Sequence, residues 1–160
     1  MFKRIINSYR RVLLRIFLFY AAFGWGICII ATLASPSVAF SFIEIIGGVD
    51  SSDISTIPIY QYWLRMASST FTLIGVGYLT LAIWTHKLRH LLPFAGLFMM
   101  VEGIILLYFA LKLEIPKIPS MGDCMFCLTG GIGILSCMGG LTDEKDRGDV
   151  MVKRKRQKIE

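Results

Sequence analysis

The chain has 160 residues, room for about one domain, and 55% of them are hydrophobic while only 18% are charged. A water-soluble domain carries nearer to about 25% charged residues, so this balance, with a mean hydropathy of +0.64, excludes an ordinary aqueous fold. The net charge of +6 does not mark a nucleic-acid binder, because the basic residues sit at the margins of apolar runs, where Lys and Arg set membrane orientation.

Residues 1–15 form a basic arm holding Lys3, Arg4, Arg10, Arg11 and Arg15. An apolar run then extends from Ile16 to Ala34, ending before Pro36. It is long enough to cross a hydrocarbon core of roughly 30 Å, which takes about 20 helical residues. Met1 to Arg15 also has the look of a signal-peptide head, with Ser37-Val38-Ala39 as a cleavage-like triplet. The apolar run exceeds the about 7–15 residues of a signal core, which favours a retained anchor.

The segment from Pro36 to Trp63 is the long connection. Val38 to Ile46 is apolar apart from Ser41 and Glu44. Too short to span, it predicts an interfacial or re-entrant helix over the outer mouth of a bundle. Gly47-Gly48 and Asp50 to Ser52 predict a turn, and Tyr60, Tyr62 and Trp63 belong at the outer interface, where amphipathic rings anchor spans. These rings would serve equally as a lid over a site.

Three further spans follow: Met66 to Trp84, Leu91 to Leu111 with Pro93 in its first turn, and Cys124 to Leu141. Lipid offers no partner for backbone N–H and C=O, so spanning segments close their hydrogen bonds internally as helices or closed barrels. Barrel strands alternate apolar and polar residues, whereas these runs are continuously apolar. The expected fold is an all-α, four-helix transmembrane bundle over residues 16–141, with a short amphipathic segment in the first outer loop.

Orientation follows from the basic residues. With Lys87 and Arg89 in the short link and seven in the tail of residues 142–160, fourteen Lys and Arg lie on one side. Arg65, Lys112 and Lys117 lie on the other. Both termini are therefore expected on the cytoplasmic side of the membrane. The tail ends in Lys153, Arg154, Lys155 and Arg156, which suit anionic lipid at about 1 kcal/mol per charge.

Three constellations bear chemistry. Glu102 sits near the middle of the third span, where a carboxylate costs roughly 2.5–3.5 kcal/mol and usually faces an interior or a cavity. It reads as a proton or polar-ligand site, or as a protonated carboxyl bonded to Thr72, Tyr78 or another polar neighbour. Arg65 and Asp123 open the second and fourth spans at the outer face, as an ion pair or a grip on a polar head group. Cys124 and Cys127, in Cys124-Met125-Phe126-Cys127, would occupy the first turn of the fourth helix if Asp123 caps it, on one helical face. A helix N-terminus favours thiolate, and the adjacent anionic Asp123 opposes it. Cys28 is placed to approach the pair, and Cys137 lies too deep. None of the cysteines follows metal spacing, so no metal is expected.

Gly24, Gly26, Gly75, Gly77, Gly130, Gly131 and Gly133 sit where helices should touch. Without a hydrophobic drive between helices in lipid, close backbone approach is what holds them together.

The stretch from Tyr62 to Cys137 resembles the BphX-like family of small bacterial membrane proteins. The likeness rests on Tyr62-Trp63-Leu64-Arg65-Met66-Ala67 with Phe71, Gly75 and Gly77, then Gly103 and Gly122-Asp123. It implies four helices and a membrane location, and no established activity. The C-x-x-C also looks like that of vitamin K epoxide reductase, a quinone-linked thiol oxidoreductase. There the pair exchanges electrons with two loop cysteines, and this chain has no cysteine in residues 29–123.

The leading functional expectation is a non-enzymatic membrane protein without cofactor. It would be an accessory subunit of a larger complex, a homo-oligomer, or a binder of a hydrophobic molecule near Arg65, Glu102 and Asp123. The alternatives are a thiol oxidoreductase using Cys124 and Cys127 with a quinone, and proton-coupled transport through Glu102.

Overall fold

The computed structural model describes residues 2–47, 57–113 and 117–139, and among them the chain is helical with no strand. The helices are α1 (Phe2–Gly26), α2 (Ile29–Leu33), α3 (Pro36–Gly47), α4 (Pro58–Ile83), α5 (Leu92–Lys112) and α6 (Lys117–Cys137), with a 3-10 turn at Arg89–Leu91 before α5. Among the described residues three stretches are long and apolar enough to cross a membrane: Ile6–Leu33, Pro58–Ile83 and Arg89–Lys112. In α6 the apolar part is the shorter Met121–Cys137. The expected turn at Gly48 and Asp50–Ser52 and the basic run Lys153–Arg156 lie outside the described residues.

α1, α4 and α6 begin earlier than their apolar runs, whereas α5 begins at Leu92, within one residue of its expected start. The basic arm is the first part of α1, because Phe2–Arg15 contains no Gly or Pro and its Lys and Arg are good helix formers. α4 begins at Pro58, where the fixed φ suits the first turn, rather than at Met66. α6 begins at Lys117 rather than Cys124 and tolerates Pro119 in its first turn; it is described to Cys137, and the expected end at Leu141 lies outside the described residues. Hydropathy marks where a helix enters hydrocarbon; capping and proline mark where it begins.

The first apolar run is not one uninterrupted helix. At Ile27–Cys28 the ladder tightens: Cys28 N–H bonds Trp25 C=O at 3.4 Å and Ile30 N–H bonds Ile27 C=O at 3.1 Å. These are three-residue spacings of 3-10 type. α2 continues the run to Leu33, and the expected short helix of the first loop is present as α3, with Ala39 and Phe40 buried.

α1 is the middle of the assembly, packed on both α4 and α6, while α5 packs on α6. Neighbours run antiparallel, since Gly26 meets Gly75, Gly24 meets Phe126 and Gly133 meets Phe17. α5 and α6 close on each other at Gly96 and Gly131, where a Cβ on Gly131 would stand 2.8 Å from the Gly96 carbonyl. The core joins Leu14, Leu18 and Trp25 of α1 to Tyr78, Met99, Cys127 and Ile134. Around it, large apolar side chains such as Phe19, Phe23, Leu73, Phe94 and Leu111 point outward. So much exposed apolar surface suits acyl chains rather than water.

The α1–α4 contact has the least slack. A Cβ on Gly75 would stand 2.6 Å from Gly26 N and 2.8 Å from Gly26 Cα, and backbone atoms cannot turn aside as a side chain can. Gly77, expected at a helix contact, has nothing within 4 Å of such a Cβ. Gly75→Val should therefore cost about 1–3 kcal/mol, and Gly77→Val should stay within about 0.5 kcal/mol. Thermal unfolding of the two variants in the same detergent separates them; equal losses would contradict the contact.

Candidate functional site

Arg65, in the second turn of α4, is bound to the chain itself. One guanidinium nitrogen donates to the Thr32 carbonyl and the other, Nη2, to the Ala34 carbonyl at 2.7 Å. The need arises locally. The last carbonyls of a helix lack intrahelical donors, and the residue four beyond Thr32 is Pro36, which has no N–H. A cation at a helix C-terminus is favourable as well. Thr32 Oγ1 lies 3.1 Å from Ser68 Oγ, and the buried Ser68 hydroxyl donates to the Arg65 carbonyl at 3.2 Å. This polar knot fastens α2 to α4.

Arg65 and Asp123 are therefore not the expected ion pair. Asp123 is exposed on α6, and no ion pair joins the two among the described residues. Nor does Asp123 cap its helix, since it lies six residues past the start of α6. It is not the N-terminal residue that the dithiol argument required.

Cys124 and Cys127 move with it. They lie in the body of α6, only 4% and 1% exposed, with the Cys127 side chain set against Gly103 of α5. The expected surface dithiol at a helix N-terminus is instead a pair of buried side chains in the body of α6, of which Cys127 fills the α5–α6 contact. Cys28 is half-buried at the α1–α2 step, Cys137 is buried at the end of α6, and all four thiols are free.

Glu102 is half-buried in the middle of α5. The two hydroxyls expected to bind it are committed elsewhere: Thr72 donates to the Ser68 carbonyl at 2.8 Å, and Tyr78 to the Ala95 carbonyl at 2.7 Å. Among the described residues no three His, Cys, Asp or Glu gather to hold a metal.

A cavity lies elsewhere, between α4 and α5. α4 and α5 are successive in the chain and make little close contact, because each is drawn toward α1 or α6. Between them opens a groove of about 640 Å³, walled by Leu73, Gly77, Tyr78 and Leu81 of α4 and by Phe94 and Phe98 of α5, with Leu88 and Leu91 at its end. The volume falls within the roughly 300–1,000 Å³ of small-molecule sites. The Tyr78–Ala95 bond ties the two walls.

The sequence carries a signal for the groove. Leu73, Gly77 and Leu81 recur every four residues and so share one face of α4, as Phe94 and Phe98 do on α5. A glycine in such a stripe leaves a notch when nothing packs into it. The aromatic cluster of Tyr20, Trp25, Phe71 and Phe126, with ring centroids 4.8–6.0 Å apart, is by contrast internal packing among α1, α4 and α6.

No protein-family model, curated protein or solved structure matches the chain.

With Arg65 bound to α2, its replacement acts independently of Asp123. Arg65→Leu should cost about 1.5–3 kcal/mol for the lost charged hydrogen bonds, and Asp123→Asn very little. A double-mutant cycle from unfolding in detergent should give a coupling within about 0.5 kcal/mol of zero. A coupling well above that restores the ion pair.

Proposed function

We propose that the chain is an integral protein of a bacterial inner membrane that binds a hydrophobic molecule in the α4–α5 groove and catalyses no reaction. It would act alone or as the accessory subunit of a larger membrane complex. The observation that carries this reading is the groove itself, about 640 Å³ in volume and lined almost wholly by apolar side chains on lipid-facing walls. Its occupant by chemistry is an acyl or similar hydrocarbon chain. Such a chain reaches the opening laterally from the bilayer, and Phe94 and Phe98 offer it broad apolar contact.

In the proposed topology four segments cross the bilayer and both ends face the cytoplasm. Support comes from the charge at the two ends of the helices. Arg10, Arg11, Arg15, Lys87 and Arg89 gather at one end, against Arg65 and Lys112 at the other, as the positive-inside bias requires. α6 is 21 residues long, about 31 Å at the rise of an α-helix. That length suffices to cross, although its apolar part is shorter. Kinship with the BphX-like proteins belongs to the same proposal and rests on the residues quoted for it.

The thiol-exchange reading draws no comparable support, because Cys127 lies within the α5–α6 contact and Cys124 is buried in the body of α6. Proton-coupled transport would need a polar path from Glu102, and the groove that is present is apolar.

A photoactivatable phospholipid, carrying a diazirine in its acyl chain, tests the groove in reconstituted vesicles. Labelling should concentrate on the facing walls, at Leu73–Leu81 and Phe94–Phe98. It should fall several-fold in Gly77→Phe, which fills the open notch without displacing a neighbour. Labels spread evenly around the lipid-facing surface, with no response to that substitution, would sink the proposal.

A further inference from the structure

The α4–α5 groove occupies one half of the bundle's depth. α4 contributes its wall from Leu73 to Leu81, the link contributes Leu88 and Leu91, and α5 contributes Phe94 to Phe98. Among the described residues nothing before Leu73 in α4 and nothing after Phe98 in α5 lines it. From Leu73 the helix runs ten residues more to its end at Ile83, about 15 Å at the rise of an α-helix. That is half of a hydrocarbon core of roughly 30 Å, the depth of a single leaflet.

The two ends of the groove differ in chemistry. Along the walls the lining is apolar apart from Tyr78 and Thr80, and Tyr78 commits its hydroxyl to the Ala95 carbonyl. At the link the groove runs out beside polar sequence. Trp84, which ends α4, is exposed there, and Lys87 and Arg89 are exposed on either side of the lining residue Leu88. An exposed indole at a helix end belongs at the level of the lipid head groups, and Lys and Arg at that level attract anionic ones. A head group therefore fits at the link, and a hydrocarbon chain fits from there inward.

We infer that the occupant is an anionic phospholipid of the leaflet on the link side, cytoplasmic in the proposed topology, held in one orientation. One acyl chain lies in the groove with its methyl end toward Leu73, and the phosphate sits at the link beside Lys87 and Arg89. This rests on the groove reading above, to which it adds the leaflet, the direction of the chain and the head group. A neutral hydrophobic molecule would fill the same groove with no such direction and no dependence on the two charges.

The test uses the full chain in phosphatidylethanolamine vesicles doped with one of two photoactivatable phosphatidylglycerols. One carries its diazirine near the ester of the acyl chain, the other near the methyl end. Labelled residues are located by mass spectrometry, and groove labelling is the part lost in Gly77→Phe. Within that part the ester-end probe should favour Leu88–Leu91 and the methyl-end probe Leu73–Val76, each by several-fold over the other. K87Q/R89Q should lower both several-fold, whereas K112Q, at the far end of α5, should leave them unchanged. Groove labelling in the reverse order, or at the same positions with both probes, overturns the inference while the groove reading stands. Indifference to K87Q/R89Q overturns it equally. Labelling that does not respond to Gly77→Phe removes the groove reading and this inference with it. Because K87Q/R89Q exchanges exposed side chains, it remains decisive should Gly77→Phe fail to fold.

Discussion

Between apolar helices in hydrocarbon there is no water to expel, so the helices must be held by close van der Waals contact and by hydrogen bonds. That constraint is met at two glycine pairs. Gly26 and Gly75 bring the backbones of α1 and α4 together, and Gly96 and Gly131 do the same for α5 and α6. α1 then reaches α6 by setting Gly24 against the Phe126 ring and Phe17 against Gly133. The resulting order, α4 against α1 against α6 against α5, leaves α4 and α5 as neighbours in sequence that are not drawn together in space. The groove between them follows from where the close-packed glycines point, Gly75 toward α1 and Gly96 and Gly103 toward α6.

Hydrogen bonds supply the remaining ties where backbone groups would otherwise go unpaired. The step from α2 to α3 passes through Pro36, whose missing N–H leaves the Thr32 carbonyl without its usual donor. Arg65 fills that vacancy and a second one at Ala34. A residue that the sequence marks as a ligand grip is thereby a fastening, and its charge serves a helix C-terminus. Across the groove Tyr78 plays a smaller part of the same kind, lending its hydroxyl to Ala95. Each bond satisfies one backbone oxygen and at the same time joins two segments distant in the chain.

Much of the architecture was legible in the residues. Continuous apolar runs between basic margins predict helices at the observed places, and the predicted short helix of the first loop is α3. Glycines named as contact points prove to be contact points at 24, 75, 130, 131 and 133. Helix starts were less legible, because the helices at Pro58 and Lys117 begin several residues before the long apolar runs that hydropathy marks. The error at α6 propagated to the site, since a start at Lys117 removes Cys124 and Cys127 from the helix N-terminus. The partners of Arg65 could not be read from type and spacing either, as they are backbone carbonyls created by a proline in another segment. Glu102 illustrates the same limit: Thr72 and Tyr78 are correct in type, yet each has a nearer carbonyl to satisfy.

The proposed account makes one end of the bundle basic and cytoplasmic and the other aromatic and external, with the apolar groove opening between them. Site-directed labelling with a membrane-impermeant maleimide tests that claim most directly, on a chain in which the four native cysteines are replaced by serine. Single substitutions Tyr60→Cys, Lys87→Cys and Lys153→Cys are compared in intact spheroplasts and after permeabilisation. The account predicts labelling of position 60 in intact spheroplasts, and of positions 87 and 153 only once the membrane is opened. Labelling of positions 60 and 87 from the same side would contradict it.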